Sequence, residues 1–306
     1  MERVRLVHGN GGRFSHELTD RFILKYFTND LLAPLHDGAQ FPVTAGRMAF
    51  STDSYVVQPA FFPGGNIGKL AVCGTVNDLA MNGAIPQYLS CGLILEEGLA
   101  FEELDEILRT MSEMAKAANV QIVTGDTKVV KKGEVDKIYI NTAGIGMIPD
   151  GIDIGPHRVK AGLDIILSGA IGDHSIAVMG QRFGLDSLTT DCAPLNKMVQ
   201  AVLDKVGTQV ALLRDPTRGG LGTVLKEIAD QSQVGIKVEE TAIPIHEEVQ
   251  SVCNILGYDP LYLANEGKVV LIVEPSVTDE VLKILHSFEE GSEAVLIGKT
   301  LDKNIG

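Results

Sequence analysis

A chain of 306 residues, 45% hydrophobic and 22% charged, is longer than one hydrophobic core usually serves and points to two domains. Its 26 basic and 40 acidic residues leave a formal charge of −14, which excludes a general nucleic-acid surface and requires cations beside any anionic ligand. No apolar run is long enough for a membrane span, Met1-Glu2-Arg3-Val4 lacks a signal-peptide pattern, and Cys73, Cys91, Cys192 and Cys253 show no Cys-x-x-Cys spacing. Reduced structural thiols in a cytoplasmic protein are therefore expected.

In chain order, Ser15 is placed to cap a helix reaching about residue 29, with Leu18, Phe22 and Tyr26 along one side. Residues 48–57 read as a strand with Asp53 near its end, and Asn66 caps a helix to about Met81. Within that helix Gly74 and Asp78 share a face, and Gly68 and Gly74 imply that something packs against the backbone. A strand at 88–95 precedes an amphipathic helix at 101–119, whose stripe of Leu104, Ile107, Leu108, Met111 and Ala115 is core. Residues 120–124 lead as a strand into Gly125-Asp126, and 137–147 form another strand.

The turn-rich stretch 149–156 divides the chain into domains at 1–150 and 151–306. Beyond it, strands are expected at 164–168, 236–239 and 268–273, with helices near 175–183, 194–206, 219–231 and 246–256, then a last helix and a short strand. Elements mix in both halves without a βαβ rhythm, so the fold class is α+β.

Three stretches, Thr52-Asp53-Ser54, Gly74 to Asp78 and Thr124-Gly-Asp-Thr-Lys128, set hard oxygen ligands beside bare backbone. A magnesium ion and a phosphate chain require that combination. The Gly-x-x-x-x-Gly-Lys-Ser/Thr loop is absent, so ATP and Mg2+ are expected to bind through separated acidic segments. Asp37, Asp53 and Asp78 are the expected metal ligands, with Asn77 beside them. Gly11 and Gly12 of His8-Gly-Asn-Gly-Gly12, together with Lys69, Asp126 and Thr127, are expected to contact the nucleotide. Lys128 shares a face with Asp126 in an extended segment. In Asp215-Pro-Thr-Arg-Gly-Gly220, Arg218 offers a planar cationic fork and Gly219 opens the next helix, an expected anion site. Glu266 of Asn265-Glu-Gly267 is available as a base or sits in a polar turn, and His174 is taken as structural.

The segments HGNGG (8–12), GTVNDLAMNGA (74–84), TGDTKVV (124–130), SGAIGDHS (168–175), RDPTRGG (214–220) and LANEGK (263–268) span nearly the whole chain. In this order they closely resemble the HypE family of hydrogenase maturation factors. That family stands within the superfamily of aminoimidazole ribonucleotide synthetase, selenophosphate synthetase and thiamine-monophosphate kinase. The resemblance implies a two-domain chain whose N-terminal domains pair into a barrel-like homodimer core, with the second domain closing over bound ATP and Mg2+. It further implies dehydration of a C-terminal cysteine S-carboxamide to a thiocyanate, with Glu266 as base and Lys128 orienting the carboxamide. The implied partners are a HypF-like carbamoyltransferase and a HypC–HypD-like acceptor of the cyanide. The sequence ends at Lys303-Asn-Ile-Gly306, where the resemblance implies a tail of roughly Pro-Arg-Ile-Cys. With that tail removed, the chain is expected to bind ATP without modifying itself. The alternatives are a relative acting on a diffusible substrate and a nucleotide-binding scaffold; the first 72 residues carry no cysteine of the kind selenophosphate synthetases use there.

Overall fold

The computed structural model describes residues 2–35, 38–42, 45–180 and 188–303. The first half opens with α1 (Gly12–Leu18), a wider π-type turn at Thr19–Ile23 and α2 (Leu24–Phe27). Gly11 stands at the N-cap, so Ser15 lies one turn inside the helix. Its hydroxyl does other work there, donating to the His8 carbonyl at 2.7 Å and accepting from the Gly11 N–H at 2.8 Å. The Gly-rich segment is thereby folded back onto its own helix.

β1 (Arg47–Tyr55), the short ribbon β2 (Phe61–Phe62) and β3 (Gly65–Asn66), α3 (Ile67–Met81), β4 (Ile85–Glu96), α4 (Phe101–Ala118), β5 (Gln121–Val130) and β6 (Ile138–Ile148) complete this half. The main sheet runs β1-β6-β4-β5, with only the β4–β5 pair parallel. Asn66 caps α3 through hydrogen bonds from the Gly68 and Lys69 N–H groups. A Cβ on Gly68 would strike the Ile107 carbonyl of α4, and one on Gly74 would strike the Tyr55 hydroxyl. The close packing expected around α3 is thus real. β5 runs on through Gly125 and Asp126, so Asp126 and Lys128 sit on an edge strand and not in a turn beyond it.

The second half contains β7 (Asp164–Leu167), α5 (Asp173–Gly180), α6 (Asn196–Val206), β8 (Val210–Arg214), α7 (Gly220–Ser232), β9 (Gly235–Val238), α8 (Glu247–Leu256), β10 (Val270–Val273), α9 (Thr278–Leu285) and β11 (Val295–Leu301). Its antiparallel sheet has the order β8-β10-β7-β11-β9. β8 is a strand that the sequence reading omits. His174 is buried and bonded through Nδ1 to Thr190 Oγ1 at 2.8 Å, as befits a structural residue. All four cysteines are buried free thiols.

α3 joins the halves. Its Leu70, Val72, Cys73 and Val76 belong to the first core, while Ala80 and Met81 belong to the core built on α6, β10 and α9. A helix apolar all round must be covered all round. Asn77, one of the polar residues this helix buries, is bonded across the junction. Its Nδ2 donates to the Ala193 carbonyl (3.0 Å) and the Glu266 carbonyl (3.3 Å), and its Oδ1 accepts from the Leu195 N–H (2.8 Å). Asn196 Nδ2 to the Ala118 carbonyl and Arg47 Nη1 to the Ile152 carbonyl, both 2.8 Å, add two more ties.

Candidate active site

Register across the first sheet sets the frame of the site. Asp53 of β1 pairs with Thr142 of β6, Thr142 with Cys91 of β4, and Cys91 with Gly125 of β5. These residues form one row across four strands, so Asp53 and the Gly125-Asp126 segment are separated by three strand spacings, about 14 Å. Thr142 anchors the middle of the row to α3, donating to the Ala71 carbonyl at 2.7 Å.

At the β5 end lies a groove of about 360 Å3, lined by Gly11, Ser15, Cys91, Asp126, Thr127 and Lys128 among others. Lys128 Nζ stands 3.4 Å from Asp126 Oδ2, and both side chains are about two-thirds exposed at 65% and 69%. The shared face expected for this pair is therefore present, in a position where solvent still screens it. Gly11 and Gly12, at φ +77° and +68°, hold a backbone conformation that suits glycine and leave open space where a side chain would project.

At the β1 end the charge is concentrated and drier. Asp78 Oδ2 accepts from Ser51 Oγ at 2.7 Å. Burial pushes the Asp78 carboxyl above its ordinary value, the Ser51 hydrogen bond opposes this, and Asp53 adds a like charge. Asp215, where β8 turns toward α7, is raised to about 6, by burial first and then by the charge of Asp78. Glu266 is pushed well above the usual carboxylate range by burial, then by Asp215, Asp191, Asp53 and Asp78. Arg214 and Arg218 draw Asp78 the other way, so the anion-binding motif flanks the same cluster. Arg218 is exposed, and Gly219 and Gly220 enter α7 at φ +76° and +66°.

The carboxyl of Asp215 supplies a test of this charge balance. Because its folded value is raised, its contribution to stability is complete below an ordinary aspartate pKa and is lost as pH rises through about 6. Ionised, it opposes folding by on the order of 3 kcal/mol. Asp215→Asn is expected to raise the melting temperature of the nucleotide-free chain at pH 7.5 and to leave it unchanged near pH 4. A difference that ignored pH would remove the charge as its cause.

Of the other expected contacts, Lys69 Nζ donates to the Gly64 carbonyl at 2.9 Å, beside the segment that carries Thr190. Asn77 commits its amide to backbone partners, as described above. Asp37 lies outside the described residues. Asp53, Asp78 and Glu266 are thus electrostatically coupled to Asp215, and Gly11, Asp126, Thr127 and Lys128 line the separate groove. Among the described residues, no three His, Cys, Asp or Glu side chains form a metal cage by themselves. Mg2+ is commonly held by one or two carboxylates, with phosphate and water completing its shell. The unneutralised charge at Asp53 and Asp78 fits that arrangement.

Residues 36–148 match the model for the AIR synthase related protein, N-terminal domain, and residues 160–306 match that for its C-terminal domain. The carbamoyl dehydratase HypE of Rhizobium leguminosarum bv. viciae is 48% identical over 299 residues, covering 97% of this chain and 85% of that protein. This chain belongs to the HypE carbamoyl dehydratase family. Among solved structures, a HypE described as a complex with ATP superposes at a TM-score of 0.94 with 47% identity, covering 97% of this chain and 89% of the other. A HypE–HypF complex matches at 0.82 with 45% identity and 93% of each chain.

In this HypE-family chain the sequence reading passed over two carboxylates. Asp215 stands in a motif that reads as an anion loop, in which its own carboxylate carries no separate signal. Asp191 has no local pattern at all; it meets Glu266, 75 residues away, only through the fold.

Proposed function

We propose that this chain catalyses the ATP-dependent dehydration of a cysteine S-carboxamide to a thiocyanate, the source of a cyanide ligand for nickel–iron hydrogenase. The observation that carries the reading is the placement of Glu266 against the Asp78 end of α3, its carbonyl held by Asn77 at 3.3 Å, in a chain 48% identical to a carbamoyl dehydratase. The carboxamide oxygen attacks the γ-phosphorus of ATP, the bond to ADP breaks, and one nitrogen proton is lost. Removal of the remaining N–H proton then forms C≡N as the C–O bond breaks and phosphate leaves. The products are thiocyanate, ADP and phosphate, so ATP takes up the elements of the water lost.

Glu266 is the base for the nitrogen proton. A carboxylate with raised proton affinity suits the role, because it gains more from taking the proton than an exposed one does. Arg218 with the Gly219 backbone receives phosphate oxygens, and Lys128, set in the separate groove at the far edge of the sheet, contacts the carboxamide-bearing chain there and not the reacting carboxamide. Mg2+ would be held by Asp53 and Asp78, with Asp37 from the segment outside the described residues, and when bound would stabilise charge on the transferring phosphoryl group. Incubating the chain with ATP, Mg2+ and a peptide ending in S-carbamoyl cysteine is expected to yield the thiocyanate by mass spectrometry, with stoichiometric phosphate. An unchanged peptide would overturn the reading.

The proposal includes a cytoplasmic homodimer served by a HypF-like carbamoyl donor and a HypC–HypD-like acceptor. One face of the β1-β6-β4-β5 sheet is packed by α3; the other leaves Phe50 70%, Met48 43% and Ile94 41% exposed. Exposed apolar side chains on a sheet face of this kind favour association. Phe50→Asp is expected to shift the chain from dimer to monomer in sedimentation, with an unaltered far-UV spectrum. A parent chain that sediments as a monomer would remove the dimer from the proposal.

A further inference from the structure

Behind Glu266, two loops meet in a buried ion pair that plays no part in the steps above. Asp191, on the extended segment before α6, has a side chain only 3% exposed, and Lys268 Nζ lies 3.5 Å from its Oδ2, 10% exposed. The same carboxylate faces the backbone of the preceding two residues: Oδ1 accepts from the Glu266 N–H and Oδ2 from the Gly267 N–H, each at 3.3 Å. Three consecutive residues, 266, 267 and 268, therefore converge on one carboxylate. A Cβ on Gly267 would collide with the Asp191 carbonyl, so the two backbones are in direct contact.

A buried ion pair is a weak source of stability, because desolvating both charges offsets much of their attraction. Its geometry is the more telling feature. A carboxylate offers two equivalent oxygens to two adjacent N–H groups, while an asparagine amide offers one. Lys268 compensates the charge of Asp191 and ties it to the loop that it holds. From the other side, Asn77 fixes the Glu266 carbonyl at 3.3 Å, and Asn265 Nδ2 donates to the Pro216 carbonyl at 3.0 Å, next to Asp215.

We infer that Asp191 and Lys268 are positioning residues for the dehydration: the carboxylate, held by Lys268, fixes the Glu266–Gly267 backbone so that the Glu266 side chain stays among Asp53, Asp78 and Asp215. This inference rests on Glu266 being the base, as proposed above. Misplacing a reacting group by about 1 Å commonly costs about 100-fold in rate.

The test follows phosphate release and thiocyanate formation with the S-carbamoyl cysteine peptide. Asp191→Asn is expected to lower the rate at saturating ATP by about 10- to 100-fold, with half-saturating ATP within about twofold of the parent. Lys268→Arg, which preserves the charge, is expected to retain most of the rate. The double variant Asp191→Asn/Lys268→Met leaves no uncompensated charge, so it is expected to melt near the parent yet remain slow. A double variant that melts and turns over like the parent would overturn the inference, as would a rate loss matched by an equal rise in half-saturating ATP. A parent chain without turnover would instead sink the assignment of Glu266, and this inference with it.

Discussion

Glu266→Gln is expected to bind ATP as the parent does and to form thiocyanate at least about 100-fold more slowly. Glutamine has nearly the same volume, and the contacts that hold this position are to its backbone, from Asp191 and Asn77. The substitution therefore removes the proton acceptor without releasing the loop. It also removes a buried like charge from beside Asp215, so the nucleotide-free variant is expected to melt no lower than the parent. The pH profile adds a second check. Glu266 ionises well above the usual carboxylate range, so the parent rate is expected to keep rising with pH where an ordinary carboxylate would already be ionised, above about pH 5. Unchanged conversion of the carbamoyl peptide by mass spectrometry would take Glu266 out of the mechanism.

Asp78→Asn should act on binding. An amide keeps the size of the side chain and still accepts from Ser51 Oγ, but it gives a divalent cation no negative oxygen. Affinity for ATP measured with Mg2+ is expected to fall at least about tenfold, in the range that loss of groups serving a metal site produces. With Mg2+ chelated, parent and variant are expected to bind ATP almost equally. Titration calorimetry under both conditions separates the effects; an equal loss with and without Mg2+ would mean that Asp78 serves the fold or the nucleotide alone. Because burial and Asp53 raise the Asp78 carboxyl, neutralising it should also relieve the nucleotide-free chain at neutral pH. Weaker binding would then accompany a higher melting temperature, a combination that simple misfolding does not produce.

Much of the fold was legible because local and tertiary demands agree. Asn66 caps α3 and the stripe from Phe101 to Ala118 is buried as its spacing requires. β8 was missed for a physical reason: Val210–Arg214 is a short apolar run, and such runs have no periodicity that distinguishes a buried strand from the end of a helix. β5 outruns its sequence signal because Gly125 and Asp126 disfavour strands, while pairing with β4 carries them into the sheet regardless. The site divides along the same line. Asp53, Asp78 and Glu266 each stand in a readable motif, yet their meeting is a property of the packed halves. Lys128 and Asp126 could be paired from their spacing alone. Asp191 could not be found, since its partners are backbone N–H groups on a distant loop.

The ties that α3 makes across the junction restrict how a reactant can travel. Asn77, Asn196 and Arg47 weld the two halves at buried or half-buried points, and parting them would also expose the apolar end of α3 that the second core covers. Wide domain opening is thus a costly route to the acidic pocket. A thiol carrying its carboxamide is therefore expected to reach the acidic pocket, and the thiocyanate to leave it, with the halves still joined.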